Sequence, residues 1–256
     1  MIMNTVFIVG TAGSGKSTLT SAYSDWLRSQ DWSTLLVNLD PAAQVLPYEP
    51  DVDVREFVDY ERIMATRKLG PNAALIASIR EVARHVEELR EEIRSYNPDY
   101  VLVDTPGQLE LFAFRREGLI LAENIGLKDR KAMIFVLDPM FCTNVKNFVS
   151  TMFLSASVYF SFGIPMVHAL NKIDAVPRED VERIEGWGES FDSLIIDLEN
   201  MIKGRLMIFS REIAEALQDI IASMPIVPIS SVTMEGLSEL HAALTRFLLE
   251  EDLELR

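Results

Sequence analysis

Eight residues near the start of the chain constrain it more than any others. Gly10-Thr11-Ala12-Gly13-Ser14-Gly15-Lys16-Ser17 follows an apolar run and opens a helical one. Glycines at these spacings let the backbone curl so that successive N–H groups face one point, where the start of a helix adds positive potential. The pattern is that of a phosphate-binding loop, in the strand–loop–helix setting such a loop needs. It assigns Gly13, Ser14, Gly15, Lys16, Ser17 and Thr18 to a nucleotide. Lys16 would reach the β- and γ-phosphates, and the Ser17 hydroxyl would ligate Mg2+.

Downstream, short β-rich runs recur at Thr5–Val9, Thr34–Leu39, Tyr100–Asp104, Ala132–Asp138, Pro165–Leu170 and Ile226–Ile229. They are continuously apolar rather than alternating, as strands covered on both faces must be. Between them lie segments of helical periodicity, Ala73–Ser95, Leu109–Ile125, Asn144–Phe162 and Phe191–Ser223, and a last helix runs over Gly236–Glu250. This alternation predicts an α/β fold of three layers, a mostly parallel sheet flanked by helices. One domain over residues 1–256 is expected. An insertion falls at 52–70, where the rhythm lapses, and an acidic tail at 250–256.

Composition narrows the partners. With 24 Lys plus Arg against 39 Asp plus Glu, the formal net charge is −15. That excludes broad binding to nucleic-acid phosphates and disfavours anionic membrane surfaces. A hydrophobic content of 48% excludes a disordered chain. The single Cys142 excludes an internal disulfide framework and fits a reducing, cytoplasmic setting. Residues 147–171 carry no Asp, Glu, Lys or Arg, but Gly163 and Pro165 interrupt the run, so it reads as a buried helix followed by a buried strand.

Two further motifs carry chemistry. Asp104 closes the run Tyr100–Asp104 and is followed by Thr105-Pro106-Gly107-Gln108. A carboxylate at the carboxyl end of a buried strand faces the crevice where ligands bind in such sheets, so Asp104 is a candidate for Mg2+. The Gly107 N–H is placed for a γ-phosphate, and Gln108 sits where Ras-like GTPases carry the glutamine that orients the attacking water. Asn171-Lys172-Ile173-Asp174 follows the run ending at Leu170. The Asp174 carboxylate can accept from the guanine N1–H and amino group, a donor pair adenine lacks. Asn171 would contact the base edge, the Lys172 stem would lie along the ring, and Ser231 would close the pocket, although Ser230-Ser231 could equally cap a helix.

With Val37-Asn38-Leu39-Asp40-Pro41-Ala42 and Gly70-Pro71-Asn72 added in chain order, the sequence resembles the GPN-loop GTPases, dimeric P-loop GTPases related to the signal-recognition-particle class. The likeness runs from Val9 to about Leu248. It implies a GTP- and GDP-binding homodimer in which Gly70-Pro71-Asn72, carried by an insertion over 52–72, reaches the partner's site, with Asn72 on its phosphates. It also implies that Asp40, Gln108 and Glu110 gather around Mg2+ and the attacking water, while Glu110 could simply cap the helix after Gln108. Eukaryotic relatives are linked to RNA-polymerase assembly, which makes a client protein an expected partner.

The remaining features read as structure. His85, His168 and His241 have no partners at metal-ligand spacing. Arg115 and Arg116 fit a solvated helix face, and Met140, Phe141, Met152 and Phe153 fit core or dimer contact. Competing readings are a GTP-binding assembly scaffold with little hydrolysis, a nucleotide or sugar kinase, which would not need Asn171–Asp174, and a metal-delivery GTPase, which would need a Cys/His site not found here.

Overall fold

The computed structural model describes residues 2–202 and 205–254, leaving out the side chains of 205–211 and 250–254. Its strands are β1 (Asn4–Gly10), β2 (Thr34–Asn38), β3 (Val52–Asp53), β4 (Tyr100–Asp104), β5 (Arg130–Leu137), β6 (Met166–Leu170) and β7 (Ile226–Pro228). The first seven helices are α1 (Lys16–Ser29), α2 (Val54–Phe57), α3 (Tyr60–Arg67), α4 (Pro71–Arg84), α5 (Val86–Tyr96), α6 (Leu109–Ala113) and α7 (Arg116–Asn124). Then follow α8 (Pro139–Cys142), α9 (Val145–Phe162), α10 (Arg178–Glu189), α11 (Phe191–Met201), α12 (Arg205–Ser223) and α13 (Leu237–Glu254). The tail from residue 250 continues α13 as far as Glu254, and 255–256 lie outside the described residues.

The strands form one seven-stranded sheet in the order β3-β2-β4-β1-β5-β6-β7, every pair parallel. Side chains alternate between two cores. Val6, Ile8, Leu36, Leu102, Ile134 and Val167 face α1 and α13, whose Leu19, Tyr23, Leu27, Leu240 and Leu244 cover them. Phe7, Val9, Val37, Val103 and Phe135 face the opposite core, with Ile79 of α4, Leu89 of α5, Phe112 of α6 and Phe148 of α9. Both faces are therefore dry, which is why the strands read as unbroken apolar runs. Each such side chain contributes roughly 1.5–3 kcal/mol. Residues 147–171 are accounted for by α9 and β6, and no described helix is long and apolar enough to cross a membrane.

Five stretches differ from the sequence expectation. Residues 52–70 hold order where the rhythm was expected to lapse: β3 joins the sheet edge on β2, and α2 and α3 follow, each with an aspartate N-cap (Asp53 and Asp59). The helix expected over Ala73–Ser95 turns at His85, whose N–H bonds the Val82 carbonyl at 2.9 Å. The one expected over Leu109–Ile125 folds back between α6 and α7. There Gly118 passes so close to Phe112 that a Cβ would lie 2.0 Å from its carbonyl oxygen, which fixes glycine at this crossing. The stretch Phe191–Ser223 is two helices, α11 and α12, and α10 was not anticipated: its charged sequence hides the apolar positions Val181, Ile184 and Trp187, which are buried.

His168 on β6 is fully buried. Its Nδ1 donates to the Met224 carbonyl at 3.1 Å, which leaves Nε2 to accept from the Ser155 hydroxyl at 2.8 Å. Burial holds the ring well below the ordinary imidazole value, at about 4. The unfolded chain takes up the proton first as pH falls, so this contribution to stability is full above about pH 6.5 and lost progressively down to about pH 4. Chemical unfolding should show a loss of about 3 kcal/mol from this group across that window, and His168→Gln should have a correspondingly shallower slope. Equal slopes for the two proteins would refute the assignment.

Candidate functional site

Because every strand runs the same way, the ends of β1, β2, β4, β5, β6 and β7 meet at one edge of the sheet. The phosphate loop leaves β1 there, with left-handed backbone at Gly13 (φ 81°) and Gly15 (φ 95°). At Gly15 a Cβ would also lie 2.5 Å from the Asn171 amide nitrogen, so absence of a side chain is required twice over. Lys16 folds back on its own loop, donating to the Gly10 and Thr11 carbonyls at 3.1 Å each. Burial lowers its pKa, with Asp104 and Asp40 opposing. Ser14 is buried, Ser17 is half-buried and Thr18 is exposed in the first turn of α1.

Asn171 joins the loop to the segments that follow β6 and β7. Its amide donates to the Ser14 carbonyl at 3.2 Å, and its Oδ1 accepts from the Ser231 N–H at 3.1 Å and the Ser231 hydroxyl at 2.8 Å. Lys172 adopts the left-handed region (φ 61°), a strained conformation for a residue with a side chain. Its ammonium reaches across the loop to the Gly13 carbonyl at 2.5 Å and Asp138 Oδ2 at 2.8 Å. Asp174 is exposed, and one of its oxygens accepts from the Ser230 hydroxyl at 2.5 Å. Asn171, Lys172, Asp174 and Ser231 thus come together beside the phosphate loop.

Asp104 ends β4 in a buried position. Tyr48 donates to its Oδ2 at 3.0 Å, while Oδ1 is buried and has no hydrogen-bond partner among the described residues. Burial raises this carboxyl to about 6, partly offset by the Ser17 and Tyr48 hydroxyls and the Lys16 charge. An unsatisfied carboxylate oxygen close to a serine hydroxyl is an all-oxygen donor set suited to a hard divalent ion, and Mg2+ fits these residues.

Asp40 lies over the adjoining turn. Its Oδ2 accepts from the Gly107 N–H at 3.2 Å, so the amide expected to meet a γ-phosphate holds a carboxylate instead. A chain of contacts fixes Asp40: its N–H donates to Asn38 Oδ1 at 3.0 Å, the Asn38 amide donates to Asp53 at 2.9 Å, and Asp53 pairs with Arg55. Burial works against ionising Asp53, but hydrogen bonds from Arg55 and Asn38 outweigh it and lower its pKa. Gln108 donates to Asn72 Oδ1 of its own chain at 3.1 Å. Asn72 is exposed in the first turn of α4, whose first residue is Pro71. Glu110 is exposed in the first turn of α6, where its charge suits the helix N-terminus, but the N-cap is Gln108 and no side chain makes a capping hydrogen bond there.

Sequence reasoning passed over Tyr48, Asp53, Arg55 and Asp138. Asp138 stands at a strand end and could have been found by the rule that picked out Asp104. Tyr48 carries no spacing signal, and the Asp53–Arg55 pair lay in the stretch read as irregular. Met140, Phe141 and Phe153 are exposed and Met152 is buried, while none of the large exposed apolar side chains among the described residues falls within 52–69. No cluster of three or more His, Cys, Asp or Glu able to hold a metal occurs among the described residues.

A phosphate loop, a strand-end carboxylate and an Asn-Lys-Ile-Asp motif on one edge of a parallel sheet define a P-loop GTPase. A family model described as "Conserved hypothetical ATP binding protein" matches residues 8–249. GPN-loop GTPase PAB0955 of Pyrococcus abyssi is 32% identical over 240 residues, covering 92% of this chain and 94% of that protein. The crystal structure of PAB0955, a GTPase in apo form, superposes with a TM-score of 0.85 at 31% identity, covering 96% of this chain and 97% of that one. GPN-loop GTPase 1 of Dictyostelium discoideum is 31% identical over 238 residues, which is 91% of this chain but only 59% of that longer protein. The chain belongs to the GPN-loop GTPase family.

Asp174→Asn exchanges a double acceptor for a group that also donates. GTP affinity should fall by about a hundredfold or more, and XTP, with an oxygen where guanine has its amino group, should bind better than GTP. Competition of the two nucleotides against a fluorescent GDP analogue measures this. An unchanged GTP affinity would remove Asp174 from the base site.

Proposed function

We propose that the protein is a Mg2+-dependent GTP hydrolase that works as a nucleotide-switched homodimer and serves assembly of a protein complex. The observation that carries the base choice and the hydrolase reading together is Asn171, bonded at once to the phosphate loop and to Ser231, so that base and phosphate subsites share one frame. Of the two nucleotides named by its relatives and its family model, the Asp174 carboxylate favours GTP.

In this reading the P-loop amides and Lys16 bind the phosphates, and Ser17 and Asp104 hold Mg2+, which when bound neutralises charge on the β- and γ-phosphate oxygens. Gln108 and Asp40 orient water toward the γ-phosphorus, with Glu110 drawn in from its exposed position. The P–O bond to the β-phosphate breaks, giving GDP and phosphate. Gly107 binds the γ-phosphate by exchanging its contact with Asp40, and phosphate release restores that contact, which is the switch. Asn72, whose oxygen is engaged by Gln108, offers its NH2 to a phosphate oxygen of the partner's nucleotide once the dimer closes. The family resemblance points to a client protein of the polymerase-assembly kind, in a cytoplasmic setting.

One observation favours the second reading, a GTP-binding scaffold with little intrinsic hydrolysis. Glu110 is exposed and Gln108 is engaged by Asn72, so the water-orienting group is not assembled within one chain.

Phosphate release from GTP and from ATP, measured with Mg2+ over a range of protein concentrations, tests these readings. GTP alone should be hydrolysed, with activity per subunit rising as dimer forms. Binding without phosphate release would transfer the case to the scaffold, and equal use of ATP would refute the base assignment. Asn72→Ala should lower turnover about ten- to a hundredfold with GTP affinity nearly unchanged, and equal losses in both would remove its trans role.

A further inference from the structure

Tyr48 lies on the irregular segment between β2 and β3, 56 residues before Asp104 in sequence, yet its hydroxyl donates to Asp104 at 3.0 Å. That hydrogen bond reaches one oxygen, Oδ2, of a side chain that is 1% exposed, and the other oxygen, Oδ1, has no partner among the described residues. We propose that Tyr48 is a positioning residue for the metal site: it fixes the plane of the Asp104 carboxylate and so decides which oxygen faces the divalent ion. The proposal rests on the reading of Asp104 as a metal ligand.

The terminal torsion of an aspartate is broad, and nothing in β4 itself sets it. A donor held on Oδ2 sets it, provided that the donor is itself fixed. The Tyr48 ring packs against the core that faces α1 and α13. Its segment is stiffened by Pro47 and Pro50 and tied to β2 at Leu36, whose N–H donates to Asp51 Oδ2 at 2.8 Å and whose carbonyl accepts from the Asp51 N–H at 2.9 Å. The hydroxyl is therefore placed by β2 and the core rather than by Asp104. With Oδ2 engaged, Oδ1 remains as the oxygen available to a cation or its water. A carboxylate accepts more than two hydrogen bonds, so Tyr48 and an ion do not compete for it. If the ring merely filled space, phenylalanine would serve as well.

Mn2+ is the probe, titrated by electron paramagnetic resonance into the full chain with saturating GDP, for wild type, Tyr48→Phe and Asp104→Ala. GDP binding in EDTA is measured on wild type and Tyr48→Phe. Tyr48→Phe should weaken Mn2+ about tenfold, the lower end of the effect expected for loss of a hydrogen-bond partner that orients a metal-binding carboxylate, while its GDP affinity in EDTA stays at the wild-type value. Asp104→Ala should weaken Mn2+ further. Mn2+ affinity in Tyr48→Phe equal to or above wild type, with Asp104→Ala weakened, overturns the role of Tyr48 alone. Unchanged Mn2+ affinity in Asp104→Ala overturns the metal assignment itself. Loss of GDP binding in EDTA by Tyr48→Phe marks the tyrosine as structural and also overturns the proposal.

Discussion

The contact on which this site depends is the one between the Asn171 amide and the Ser14 carbonyl, which joins residues 157 positions apart. It needs Gly15, because any side chain there would collide with the same amide. Two pieces of chain, one following β1 and one following β6, are thereby held at a fixed separation, with β5 between their strands. Neither could do this as a free loop. The parallel sheet sets their heights, the dry cores on both faces set the sheet, and the amide sets the last few ångströms.

Charge follows the same plan. Lys16, Asp40, Asp53, Arg55, Asp104, Asp138 and Lys172 line the carboxyl edge, and most of their bonds are local exchanges: Lys172 with Asp138, Arg55 with Asp53, Asp40 with the Gly107 amide. Asp104 is the exception, since one of its oxygens is left unsatisfied in a buried setting. A group so placed is expensive to keep unless a ligand completes it, and the raised pKa expresses that cost.

The strands and the site were legible in sequence to different depths. Strands buried on both faces announce themselves as apolar runs, and six of the seven were visible for that reason. The seventh, β3, is two residues long and gives no periodic signal. Helix breaks at His85 and between Phe112 and Gly118 depend on tertiary close approach, which periodicity cannot register. The Gly10–Ser17 and Asn171–Asp174 motifs stood out because each fixes residue type and spacing together. Tyr48 did not, because a single hydroxyl can reach Asp104 from many places in a chain. The placement of Asn72 beside Gln108 of the same chain was hidden for the same reason.

The internal bond between Asp40 and the Gly107 amide bears on how affinity should be understood in this protein. Together with Lys16 on its own loop carbonyls, it means that the groups proposed to receive a triphosphate already have occupants. Ligand entry is then an exchange of one set of partners for another, and the measured affinity is the difference between the two sets. A tally of protein–nucleotide contacts would overstate it. Under the proposed exchange the vacated site would stay organised after product leaves, and each cycle would begin from a pocket that does not have to be rebuilt.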